Sequence, residues 1–290
     1  MKRFTRECQK TNLNLRPKVT TKQIALIVVF SALYAAMRII PTFPVIGVAG
    51  GSFSVADILA PIYGIILGPY LGGASVIIGT FIGMSVKSPV FLGLDFLPAL
   101  VNTVAIGFLV RRKWLPVVIL NAALLFAFVL NPLTLNFINI PLDSSNLVLP
   151  FTWLHITAFI VLLSPLGLKA GKWIQTPKPQ TLTEKSRFAF IRRISSKRVA
   201  GFAMLAFIGT MMQHLMGNIL FENIFVHVTH YFDSVTIMGN WVLVFFIFPW
   251  ERLILIILAV VIGLPLFYIL TKTRLIQISN AGLTQKENKK

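Results

Sequence analysis

The feature that most constrains this chain is an alternation: apolar runs of bilayer-spanning length, separated by clusters of Lys and Arg. Of its 27 Lys and Arg residues, 24 fall in four segments: seven in residues 1–22, three at Arg111, Arg112 and Lys113, nine in 169–198 and five from Lys272 onward. Cationic residues stay on the cytoplasmic side during insertion, so these segments mark one face. The other three, Arg38, Lys87 and Arg252, map next to the opposite boundary, as do six of the nine acids. With 56% hydrophobic and 12% charged residues, the composition excludes a soluble globule. The net charge of +18 then describes a face drawn to anionic lipid or a cytoplasmic partner, not a nucleic-acid binder.

A hydrocarbon core of about 30 Å takes roughly 20 helical residues, fewer where a helix is short or interfacial. Eight runs qualify: 24–40, 55–67, 70–86, 96–110, 115–130, 147–168, 199–221 and 241–270, the last beginning at Trp241 or Pro249. An even number of crossings separates every pair of basic segments. The expected fold class is therefore all-α, a polytopic bundle of about eight transmembrane helices in the plasma membrane with both termini cytoplasmic. The second run is short enough to be buried or re-entrant, and Gly68-Pro69 makes it a tight hairpin with the third. The N-terminal tail lacks an Ala-x-Ala cleavage site, so the first helix is expected to stay as an anchor. The single cysteine, Cys8, lies in that tail, which leaves no intrachain disulfide and no Cys-based metal site.

Charged and amide side chains within a membrane are tolerated chiefly where they face a cavity or a partner. His214, Asn218 and Glu222 are spaced i, i+4, i+8 in one helical stripe. Asp57 opens the second run, Asp95 stands at the mouth of the fourth, and Asn102 lies two turns deeper. The last run is taken to start at Phe248-Pro249-Trp250-Glu251-Arg252, with Pro at the helix start and an acid in its first turn. Loops on the same side add His227, His230, Asp233 and Trp241. The substrate-binding candidates are Asp57, Asp95, Asn102, His214, Asn218, Glu222, Trp250 and Glu251, with hydrogen bonding or ion pairing as their role. Simpler roles compete: helix caps for Asp57, Asp95 and Glu251, an interhelical contact for His214, and the interfacial belt for Trp241 and Trp250.

The segment 50–73, GGSFSVADILAPIYGIILGPYLGG, resembles the substrate-binding S component of energy-coupling factor vitamin transporters, through Pro61, Gly64, Gly68, Pro69, Gly72 and Gly73. Residues 200–222 resemble that family's fifth helix, and 248–264, FPWERLILIILAVVIGL, its last. The resemblance implies a six-helix core. It divides the chain into a basic tail 1–22, core helices in 23–113, an inserted transmembrane hairpin 114–170, a basic segment 171–198, the last two core helices in 199–271 and a basic tail 272–290. Within the basic segment, 183–198 is either an amphipathic surface helix or a solvated linker. The family also implies a lid over the solute formed by loop 42–54, with Gly47, Gly50 and Gly51 giving it backbone freedom. It implies docking of a transmembrane T subunit on an Ala-x-x-x-Ala face, matched by Ala32 and Ala36 with Ala25 in line.

The implied function is capture of a vitamin-like small molecule for uptake, energised by a T subunit and two ABC-type ATPases. The chain itself has no G-x-x-x-x-G-K-[ST] loop, since 167–172 has the wrong spacing. No cofactor or resident metal is expected. Metal-specific relatives carry His after the initiator Met, where this chain has Lys2, although His155, His214, His227 and His230 all map to one side. The acids suit a cationic solute, whereas Arg38, Lys87 and Arg252 suit a carboxylate. An autonomous secondary transporter or channel is the main alternative. A CAAX-protease-like peptidase is suggested by F-x-x-x-H at 151–155 and H-x-x-x-N at 214–218, but the Glu-Glu pair that such enzymes require is absent. The chain is thus expected not to be an enzyme.

Overall fold

A computed structural model describes residues 20–142, 145–175, 196–273 and 275. The basic tail before Thr20 with Cys8, most of the basic segment 171–198, and nearly all of the C-terminal tail lie outside the described residues. The protein is mostly helical. Three helices are long and apolar enough to cross a membrane: α1 (Thr21–Ile39), α8 (Ser196–Glu222, extended by a π-helical turn Asn223–Val228) and α9 (Ser234–Lys272). A fourth candidate is the pair α6 (Trp153–Leu163) and α7 (Pro165–Gln175), bent by 68°. Four shorter apolar helices complete the bundle: α2 (Ala56–Ile66), α3 (Gly68–Met84), α4 (Phe96–Val110) and α5 (Trp114–Val129).

Local chemistry sets the helix ends. Thr20 caps α1 in a reciprocal box, its hydroxyl accepting from the Gln23 N–H while Gln23 Oε1 accepts from the Thr20 N–H at 2.9 Å. Gly68, at φ +79°, turns the chain between α2 and α3, a conformation that disfavours a Cβ, and Pro69 follows where a missing N–H costs nothing. Every residue of α2 except Asp57 is buried. At 11 residues this helix is roughly 16 Å long, about half of a hydrocarbon core, and it is buried at the centre of the bundle. Tyr63 donates to the Phe30 carbonyl at 2.7 Å and Thr103 to the Ala60 carbonyl at 2.9 Å, locking α2 to α1 and α4. Gly64 permits the approach to α4: a Cβ there would lie 2.6 Å from the Thr103 carbonyl oxygen.

Three sequence expectations need correction. The all-α class is incomplete, because two antiparallel hairpins occur: β1 (Pro41–Pro44) with β2 (Ser52–Ser54), and β3 (Phe137–Leu142) with β4 (Ser145–Pro150). The run 147–168 is therefore not one continuous helix; it starts as strand and then breaks between α6 and α7, where Pro165 supplies no amide to continue the ladder. The last helix begins at Ser234, not Pro249. Asp233 caps it by accepting from the Thr236 N–H at 2.6 Å, so Pro249 and Glu251 sit inside a 39-residue helix.

The basic turn Arg111–Lys113 follows the C-terminal end of α4, and α7 closes on the same end, where Gln175 donates to the Val110 carbonyl. Helix α8 starts there beside α7, its Gly201 packing closely on the Ala170 carbonyl. The C-terminus of α1, the N-termini of α2 and α4, and the first hairpin meet at the opposite end.

Candidate functional site

At that opposite end lies a cavity bounded by the end of α1, the β1–β2 hairpin, the start of α2, the 85–95 connection, α8 and the first half of α9. It offers about 100 Å³ to the centres of water-sized molecules. One water needs roughly 10–15 Å³ on that measure, so the space suits a solute the size of about seven to ten waters. Helix α8 contributes His214, Gly217, Asn218 and Phe221, the i, i+3, i+4, i+7 set of one helical face. Helix α9 contributes a second such face, running from Asn240 and Trp241 through Val244 and Phe248 to Glu251 and Arg252.

Part of the polar wall is internally satisfied. Asp95 accepts from Arg38 at 2.7 Å and from the Val90 and Phe91 amides, each at 2.9 Å, which fixes the connection before α4. Asp57 accepts from the Ser54 N–H at 3.3 Å and from the Gln213 side-chain amide at 2.7 Å; Gln213 in turn accepts from Asn102 at 2.7 Å. This relay ties α2, α8 and α4 together behind the wall. Lys87 donates to Ser52 Oγ at 2.8 Å and so clips the hairpin to the 85–95 connection. Desolvation, with the nearby Arg38 charge, holds the Lys87 amine below the usual lysine range.

The remainder is not satisfied. Arg38 Nε, Asn218 Nδ2, Asn240 Nδ2, Glu251 Oε2, Arg252 Nε and one ring nitrogen of His214 are buried without a hydrogen-bond partner in the protein. A buried polar group that neither water nor a ligand engages costs about 1–3 kcal/mol, and six beside one cavity are a large concentration. His214 bonds through its other nitrogen to His155 at 3.0 Å, with the rings stacked at 5.0 Å, and its edge meets Phe248 at 4.1 Å. Aromatic surface lines the rest of the wall, from Phe53, Phe91, Phe221, Trp241 and Phe248.

Of the sequence candidates, the cavity wall gathers Asp57, Asp95, His214, Asn218 and Glu251. Asn102 and Glu222 are fully buried but stand outside the wall. Asn102 acts on it only through Gln213, while Glu222 accepts from Thr134 at 2.7 Å and anchors the segment between α5 and β3. Trp250, 68% exposed, points away from the cavity. Trp241 corrects the belt assignment: it is 2% exposed, lines the cavity and donates to the Leu133 carbonyl at 3.2 Å. His227, His230 and Asp233 are exposed and lie outside the wall. Gln213, Asn240 and Phe248 were not anticipated, although Phe248 shares a helical face with Trp241 and Arg252. Ala25, Ala32 and Ala36 lie exposed on α1. Among the described residues no group of three or more His, Cys, Asp or Glu side chains is arranged to hold a metal ion. No protein-family model, curated protein or solved structure matches the chain.

Proposed function

We propose that this protein is the solute-capturing membrane subunit of an uptake system, working by binding rather than by bond cleavage. The observation that carries the proposal is the set of unpartnered polar atoms on Asn218, Asn240, Glu251, Arg252 and His214 around one metabolite-sized cavity. A hydrogen-bonding solute offsets their desolvation and gains orientation from them. In this proposal the chain crosses the plasma membrane eight times, with α6 and α7 as one bent crossing, α2 and α3 as a short hairpin, and the basic end inside. The cavity then opens outward, and the β1–β2 hairpin is its lid. The resemblance of 50–73 to S components supports an energising T subunit and two ATPases as partners, and the exposed Ala25, Ala32 and Ala36 face on α1 is the proposed docking strip. Anionic lipid is the proposed counterpart of the basic end.

One observation favours a second reading, an autonomous proton-coupled carrier: the His155–His214 hydrogen bond links the cavity to a small adjoining pocket. A depletion assay separates the two. Cells expressing the protein are predicted to remove one small molecule from their medium only when a partner ATPase is functional. Uptake that persists without the ATPase would favour the carrier, and no depletion under either condition would remove both.

A further inference from the structure

The charges in the cavity wall balance, with Arg38, Lys87 and Arg252 facing Asp57, Asp95 and Glu251. Four of the six are engaged by the protein: Arg38 with Asp95, Asp57 with Gln213 and Ser54, and Lys87 with Ser52. The remaining two are consecutive on α9. Glu251 Oε2 and Arg252 Nη2 form an ion pair at 3.7 Å, too long for a hydrogen bond, and Glu251 Oε2 and Arg252 Nε are each buried without a hydrogen-bond partner. The guanidinium lies over the rings of Phe53 and Phe248, at 5.5 and 5.4 Å from their centroids.

An acceptor and a donor side by side, next to aromatic rings, complement a ligand that carries a donor and an acceptor on neighbouring atoms of a flat group. A solute with net charge brings an uncompensated ion into a wall whose charges already balance, at a desolvation cost that an uncharged solute does not incur. We infer that the cavity selects a small uncharged, planar solute with an amide-like edge. Its N–H donates to Glu251, its carbonyl accepts from Arg252, and its apolar body rests on Phe53 and Phe248. This deepens the solute-capture proposal and rests on it.

Benzamide, benzoate and benzamidinium test the inference, because they share size and shape and differ in charge. Their affinities for the full-length protein in detergent are read by ligand-observed NMR at neutral pH. Benzamide should bind about tenfold more tightly than either ion. Glu251→Gln preserves shape while adding one positive charge to the wall, and should move the preference toward benzoate by about tenfold. Arg252→Gln should move it toward benzamidinium; if that variant does not fold, the wild-type ranking and Glu251→Gln decide alone. Tighter binding of either ion by the wild type, binding of none of the three, or an unchanged ranking in Glu251→Gln would overturn the inference. Benzamide selectivity without ATPase-dependent uptake would uphold it and remove the uptake proposal; ATPase-dependent uptake of a charged metabolite would do the reverse.

Discussion

His214 joins two roles, since it lines the cavity and is held by His155 at 3.0 Å. Replacing it by Ala should weaken solute retention by about tenfold, the worth of one buried hydrogen bond, while unfolding in detergent stays cooperative. Retention equal to that of the wild type would remove His214 from the site. Asp233 allows a pH test outside the bundle. Its hydrogen bonds from the Thr236 and Val235 amides hold the carboxyl below the usual carboxylate range. A depressed acid stabilises the folded state above its unfolded pKa, and that contribution is lost as pH falls through the lower, folded value. Hydrogen exchange at the Thr236 amide should therefore remain protected down through the ordinary aspartate range and open only below it; opening within that range would contradict the cap.

Helical spacing explains which residues the sequence could place. From His214, Asn218 is rotated by about 40° and stays on the cavity face, whereas Glu222, two turns on, has drifted by about 80° and reaches Thr134 instead. A stripe read as i, i+4, i+8 hides that drift. Trp250 follows Phe248 by two residues, about 200° round the helix, and so points away from the cavity. Glu251 was placed near a helix start because Pro249 resembles an N1 proline, yet Asp233 begins the helix sixteen residues earlier. The Gln213 link between Asp57 and Asn102 was not legible, because it depends on three helices meeting.

At the scale of elements, the order of the apolar runs and the Gly68-Pro69 turn were legible, since both follow from local residues. The second hairpin was not, because its strands are apolar enough to pass for a span; the cue was period-two alternation, with Ile138 buried between exposed Phe137 and Asn139. Glycine contacts then set which helices are close. Gly64→Ala forces a Cβ against the Thr103 carbonyl and the Ile106 side chain, and should cost roughly 1–3 kcal/mol in thermal unfolding. Gly239→Ala, on an α9 face open to space, should be neutral or stabilising. Equal effects at both positions would contradict the packing of α2 on α4. For the first hairpin, Lys87→Met removes the clip to Ser52, so hydrogen exchange across residues 45–52 should accelerate several-fold. Unchanged exchange would mean that the hairpin is held by other contacts.

For the molecule as a whole, charge distribution and polar burial point the same way. One end of the bundle carries Arg111–Lys113 and the start of α8 with Lys197 and Arg198, and the other carries a cavity whose wall mixes balanced charges with aromatic rings. Helix α9 links the two ends. At 39 residues it is roughly 58 Å long, well beyond a hydrocarbon core, so the part that lines the cavity extends toward the surface. Polar atoms that the protein leaves unpaired beside a cavity are satisfied by water or by a ligand, and a solute that replaces the water takes over those hydrogen bonds, which makes solute retention the central claim. Native mass spectrometry of the protein released from membranes tests it most directly. The account predicts one small molecule per chain on the wild type, lost from an Asn218→Ala/Glu251→Ala double variant that remains folded. A wild-type protein that retains nothing under conditions where it is folded, or a double variant that retains the same molecule equally well, would contradict it.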